Sequence, residues 1–182
     1  MKGDIDIAGI LSGDEDEFKA LFYRWYPKVR GFINCLVKNE TVSEDLAQDI
    51  FMRIWKDRDM LGNITSIESY MYRMARNMSL NWLKHKKVET AYAPSWESRY
   101  DDAPDSIVEE KEVRLLVDLV VNGMPEQRRR IFEMSRYFNI SNSEIAEKLN
   151  ISKKTVENHL NLALRDIREA LLYASFFIFP WV

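Results

Sequence analysis

Apolar residues recur along this chain at spacings of three and four, and β-branched alternation is hard to find. Only helices follow from that pattern, so the expected fold is all-α. Phe18, Leu21, Phe22, Trp25 and Tyr26 form one stripe, which Val29, Phe32, Ile33 and Leu36 continue past Pro27. Glu17 to Val37 is therefore one helix or two, depending on how Pro27 is accommodated. A second helix is expected from Thr41, where Thr41 and Glu44 match a T-x-x-E capping box. Its core face is Leu46, Ala47, Ile50, Phe51, Ile54 and Trp55, which leaves Asp45, Gln48, Asp49, Met52 and Arg53 to point elsewhere.

Lys56–Ile64 reads as a loop around Gly62-Asn63. Thr65 and Glu68 repeat the T-x-x-E signal and open a third helix to about Lys87, with Ile67, Met71, Met74, Met78 and Trp82 inward. Residues 88–110 have two prolines, many acids and no apolar period, which marks a linker between two helical lobes. The second lobe starts with an apolar helix over Val113–Val121, ended near Gly123-Met124-Pro125. Pro125 suits the first turn of the next helix, which carries Arg128–Arg130, Ile131, Phe132 and Phe138. Ser141 and Glu144 cap a short helix, and Ser152 caps a final one through at least Leu172.

Charge changes the picture through its placement. The 182 residues carry a formal charge of −3, yet Glu97–Glu112 alone holds seven acids against two bases. That stretch is −5, so the rest is mildly basic. One cysteine excludes a disulfide framework, and His85 and His159 sit in no metal-ligand spacing, so no cofactor is expected. The acids of MKGDIDIAGILSGDEDEF do not look like a signal peptide, and the uncharged run Leu171–Val182 has only 12 residues. A bilayer span needs roughly 20. The expectation is a cytoplasmic protein with no membrane insertion.

The strongest local signal is SNSEIAEKLNISKKTVENHLNLAL, Ser141–Leu164. Ile145, Ala146, Leu149, Ile151, Val156 and Leu160 are placed to pack two helices at a steep angle, the geometry of a helix-turn-helix. The second helix then presents Lys153, Lys154, Thr155, Glu157, Asn158, His159 and Asn161, where amides meet base edges and lysines meet phosphate. Arg128–Arg130 is open to two readings, a phosphate or partner contact and a solubilising helix face. In the first lobe, Arg73, Arg76, Asn77, Asn81 and Lys84 recur as a polar stripe beside aromatics, which suits single-stranded nucleic acid. Asp45, Gln48 and Asp49 come with no nucleophile, phosphate loop or metal cluster, so a partner-docking face fits them better than acid–base catalysis. An enzyme is not expected.

EDLAQDIFMRIW resembles region 2.2 of the extracytoplasmic-function (ECF) sigma factors, members of the sigma-70 family. SYMYRMARNMSLNWLKHKK is similar to regions 2.3–2.4, and MPEQRRRIFEMSRYFNISNSEIAEKLNISKKTVENHL to region 4. The resemblance covers roughly residues 12–172. It implies a region 2 bundle over 12–87, the linker 88–110, a region 4 helix-turn-helix over 111–172 and an apolar tail over 173–182.

The resemblance also implies partners and roles. Asp45, Gln48, Asp49 and Arg53 match the face that grips the β′ clamp helices of core RNA polymerase. Asn63, Thr65 and Ser66 in the loop, with Tyr70, Arg73, Arg76, Asn77 and Lys84 on the following helix, match the −10 promoter reader. Arg128, Lys153, Lys154, Thr155, Glu157, Asn158, His159, Asn161 and Arg165 match the −35 side, and the β flap should contact the second lobe. An anti-sigma factor is implied as regulator. Glu157 and His159 stand where many family members have arginine, so no −35 sequence transfers. The tail Leu171–Val182 is expected to pack on the second lobe, with a regulator contact and a dimer contact as alternatives. The competing reading is a LuxR-type factor, since SKKTVENHL also looks like that family's recognition helix, although the first lobe lacks a receiver's β-α alternation. A protein–protein adaptor with no DNA contact is a third reading.

Overall fold

The structure is a computed structural model that describes residues 5–89 and 110–178. All regular elements among them are helical, and the chain divides into two units. Residues 90–109, the heart of the expected acidic linker, lie outside the described residues, as do 179–182 of the tail.

The first unit begins with α1 (Ile7–Leu11) and α2 (Glu15–Val37). Asp14 starts α2 by accepting from the N–H groups of Asp16 and Glu17, and Glu15, Asp16 and Glu17 add negative charge where the helix dipole favours it. Pro27 does not divide α2. Its missing N–H leaves the carbonyl four residues back without that bond, and this belongs to Tyr23, a residue 76% exposed on the solvent side of the helix. The helix stops at Lys38, whose φ of 52° is left-handed.

Helix α3 (Glu40–Lys56) corrects the expected Thr41–Glu44 box. Asn39 is the N-cap and accepts from Val42 N–H at 3.1 Å, placing Thr41 inside the first turn. Glu44 instead accepts from Arg30 Nη1 at 3.0 Å, tying α3 to α2. A 3-10 helix, Arg58–Asn63, occupies most of the expected loop, and α4 (Ile67–Glu89) follows. The α4 cap is Ser66, whose Oγ accepts from Ser69 N–H at 3.1 Å and donates to Glu68 at 2.8 Å. Thr65, one residue earlier, was the expected cap.

The core of this unit joins Leu21, Trp25, Val29, Phe32 and Leu36 of α2 to Ala47, Ile50 and Ile54 of α3 and Met71 and Ala75 of α4. Met74, Met78 and Trp82, expected inside, are only half-buried. Ser79 takes an interior place because its hydroxyl donates to Ala75 O at 2.7 Å. Ile10 is fully buried, and α1 packs on the 3-10 helix.

The second unit holds α5 (Glu110–Gly123), α6 (Glu126–Arg136), α7 (Asn142–Leu149) and, as far as Leu172, α8 (Lys153–Ile178). Pro125 is the residue before α6 rather than within its first turn. Leu116, Leu119, Val120, Ile131, Phe132, Ile145, Val156, Leu160 and Ala163 fill the interior. Phe138 does not join them, because α6 ends at Arg136 and leaves that ring 70% exposed. Among the described residues, Tyr173–Phe177 belongs to the first unit, against the expectation that the tail packs on the second. Phe177 is buried there beside Trp25, Phe32 and Tyr72.

Candidate functional site

Three faces carry the candidate residues. On α3, Asp45, Gln48, Asp49, Met52 and Arg53 follow three-four spacing and share one side. Asp45, Gln48 and Arg53 are exposed and Asp49 is half-exposed, while Ala47, Ile50 and Ile54 hold the opposite side in the core. The face therefore offers two carboxylates, an amide and a guanidinium on a rigid helix. Beside it lies an apolar groove lined by Phe18, Phe22, Gln48, Phe51, Met52 and Trp55. Met52 is 63% exposed at its rim. The groove escaped the sequence reading because it joins residues of α2 and α3. Its aromatic walls, including Phe18–Trp55 at 4.8 Å and Phe22–Phe51 at 5.0 Å, looked like ordinary core positions.

The second face is the 3-10 helix with the start of α4. Asn63 and Thr65 are exposed, and Ser66 and Tyr70 are half-buried. Part of the Ser66 hydroxyl's bonding capacity is spent on the cap. Arg73, Asn77 and Lys84 are half-buried on α4. Arg76 departs from the expected exposed stripe, being only 6% exposed. Its guanidinium lies 5.7 Å from the Tyr72 ring centre, one turn back, and its Nε meets Asn77 Oδ1 at 3.4 Å. The loop rests on α1, and a Cβ at Gly62 would sit 3.9 Å from Leu11 Cδ1.

The third face is the helix-turn-helix of α7 and α8. Ser141 N–H donates to Glu144 Oε2 at 3.0 Å and Glu144 N–H to Ser141 Oγ at 3.3 Å, so this capping box forms as expected. Asn150 makes the turn at φ 52°, and Ser152 Oγ accepts from Thr155 N–H at 3.0 Å to begin α8. Ile145 of α7 and Val156 of α8 are both fully buried, as the helix-turn-helix pattern requires. Lys153, Lys154, Asn158, Asn161 and Arg165 are exposed, and Glu157 is half-exposed. Thr155 is partly committed to the cap through a 2.8 Å contact with the Ser152 hydroxyl. His159 is half-buried, with Nδ1 enclosed and unpartnered.

Arg128, expected on the −35 side, is ion-paired within the second unit. Its Nη1 donates to Asp166 Oδ2 at 2.6 Å, and the Asp166 side chain is only 4% exposed. This arginine therefore neutralises a buried carboxylate of α8. Next to the helix-turn-helix, Tyr137 donates to Asp118 at 3.1 Å. Burial first, then that hydrogen bond, push its phenol pKa up.

The hydrogen bond from the Ser141 hydroxyl is the main reason the Glu144 carboxyl titrates below its ordinary range. A depressed folded-state pKa stabilises the fold above the unfolded value, and the contribution disappears as pH falls through the folded value. The start of α7 should accordingly fray in acid. In Ser141→Ala the Glu144 midpoint, followed by carboxyl NMR, should rise toward an unperturbed glutamate; an unchanged midpoint would rule out the capping bond as its cause.

A helical two-unit protein with a capped helix-turn-helix in one unit and an outward polar face on α3 in the other fits the DNA-binding class of helical proteins. Comparison narrows it further. The Sigma-70 region 2 model matches residues 21–88 and the Sigma-70 region 4 model matches 114–167, together about two thirds of the chain. The ECF RNA polymerase sigma factor RpoE of Cereibacter sphaeroides is 23% identical over 159 residues, covering 86% of this chain and 87% of its own. RNA polymerase sigma factor SigZ of Bacillus subtilis is 22% identical, covering 83% and 85%. A solved structure of CnrH in complex with the cytosolic domain of CnrY aligns with TM-score 0.40 and 18% identity, over 94% of this chain and 99% of that one. The chain belongs to the ECF sigma factors of the sigma-70 family, the transcription initiation factors of bacterial RNA polymerase.

Proposed function

We propose that α3 docks this protein on the β′ clamp helices of core polymerase through Asp45, Gln48, Asp49 and Arg53. The loop and α4 then take the −10 element through Asn63, Thr65, Ser66, Tyr70, Arg73, Asn77 and Lys84, joined by Arg76 once it is uncovered. The N-terminal half of α8 reads the −35 element through Lys153, Lys154, Thr155, Glu157, Asn158, His159, Asn161 and Arg165. The β flap contacts the second unit, an anti-sigma factor holds the protein inactive, and the site of action is the cytoplasm. The observation that carries this reading is the agreement between motif and exposure: Asp45, Gln48 and Arg53 on α3 and Lys153, Lys154, Asn158 and Asn161 on α8 face outward while their neighbours fill the core.

Tethering gives the division of labour a physical reason. Each unit offers few base contacts, and joining both on one polymerase makes the second contact intramolecular, which raises its effective concentration. A flipped −10 base held in a loop pocket offsets the few kcal/mol of unstacking. The apolar groove beside Gln48 adds a place for an aliphatic side chain of the clamp.

The test is selection from a randomised duplex library. Polymerase loaded with this protein should enrich two sequence blocks at a fixed separation, and core enzyme alone should enrich none. A single palindromic block retained by the protein alone would contradict the proposal. Within the selected site, Lys153→Ala or Lys154→Ala should weaken binding about equally across sequences and lower the salt slope by about 1 each. Asn158→Ala should instead relax the preference at one position, at about 1–3 kcal/mol. Titrations at several salt concentrations separate the two behaviours.

A further inference from the structure

The end of α8 occupies a specific seat on the first unit. Phe177 stacks on Trp25 at 5.4 Å and 28°, and meets Phe32 at 5.8 Å and Tyr72 at 5.9 Å. Phe176 lies over Lys28 Nζ at 5.2 Å, and that ammonium also caps the Trp25 ring at 4.3 Å. Ala174 and Phe177 are 3% and 2% exposed, and Trp25 and Phe32 are fully buried. Gly31 explains the close fit. A glycine inside a helix is costly, and here any Cβ would collide with the Tyr173 ring, coming within 2.7 Å of its hydroxyl. The seat is thus shaped around this segment's aromatic side chains.

One wall of the seat is Tyr72, the ring that also lies under the Arg76 guanidinium. The same helix face that the segment covers therefore leads directly to the arginine assigned to the −10 strand, which is 6% exposed in this state. We infer that Tyr173–Phe177 is a built-in aromatic plug that withholds Tyr72 and Arg76 from single-stranded DNA and leaves its seat when they engage it. This rests on the −10 assignment of α4. The plug competes with the strand, so the apparent affinity of the resting protein is reduced by the fraction of molecules whose seat is open.

Gly31→Ala tests the plug directly, since alanine favours α2 while its methyl evicts Tyr173. Seating is read by fluorine NMR of the fluorotryptophan-labelled full chain, where the Trp25 signal reports the stacked Phe177. Binding is read with a labelled, randomised single-stranded oligonucleotide, for the full chain alone and on core polymerase. Gly31→Ala should move the Trp25 signal and tighten strand binding of the unassembled chain about tenfold, the factor expected if roughly nine molecules in ten are plugged. Phe177→Ala, in the same assays, should do likewise and serves if Gly31→Ala misfolds. An unmoved Trp25 signal in both variants, or a moved signal with unchanged strand affinity, would overturn the plug and leave the segment as ordinary core. Failure of wild type and variants alike to bind the strand on polymerase would instead overturn the α4 assignment beneath it.

Discussion

Asp49→Arg should lower the affinity for core polymerase by at least about a hundredfold while leaving the fold intact. The residue sits mid-α3 on the outward side, half-exposed, next to exposed Asp45 and Gln48. Reversing its charge places arginine beside Arg53 and against the partner surface proposed to complement the α3 carboxylates, and a like-charge juxtaposition in a closed interface costs several kcal/mol. Each 1.4 kcal/mol is a factor of ten, so a hundredfold loss needs only about 3 kcal/mol. The fold is spared because arginine is a good helix former and the buried side of α3 is untouched. Equilibrium binding to labelled core enzyme measures the effect, and a thermal melt monitored by circular dichroism checks the fold. Full retention of binding would remove α3 from the docking face. Gln48→Ala deletes an amide at the groove rim and should have a smaller effect of the same sign.

The second large effect is on stability. Arg128→Met should destabilise the second unit by about 3–5 kcal/mol, the usual consequence of removing one partner of a buried ion pair. Asp166 is nearly enclosed, and the 2.6 Å bond from Arg128 crosses from α6 to α8. A domain is stable by only about 5–15 kcal/mol, so this loss takes a large share of the total. Replacing both partners, Arg128→Met with Asp166→Leu, should recover most of it, because similar apolar volume is often as stable as a buried ion pair. The double variant also decides the role of Arg128. If the guanidinium is structural, the double variant on polymerase keeps its duplex affinity; if it contacts phosphate, affinity falls and the salt slope drops. Denaturant melts and duplex titrations give the two answers independently.

What could be read from the sequence was what depends on neighbours along one helix. The Ser141–Glu144 box and the Ser152 cap are short-range devices, and both formed where the pattern placed them. The outward face of α3 follows from the 3.6-residue period alone. Even local signals fail when two candidates compete. Asn39 took the cap expected at Thr41, and Ser66 took the one expected at Thr65, because each has a short side chain set one residue before its helix.

Long-range pairings were invisible. Arg128 looked like part of a basic cluster, and nothing near it announces Asp166, 38 residues further along. Arg76 fits the polar stripe of α4 by number, yet folds over Tyr72. The tail offered aromatic residues with no partner in view, and its seat needs Gly31, a residue whose meaning appears only when Tyr173 stands above it. The aromatic groove beside Gln48 has the same origin, since its walls come from two helices.

Run-off transcription with purified components tests the central claim most directly. Core polymerase, this protein and a linear template carrying a site enriched by the loaded enzyme should yield one transcript of defined length, absent without the protein and lost with Asp49→Arg. No defined transcript from any enriched template, with the protein folded and no inhibitor present, would contradict the account.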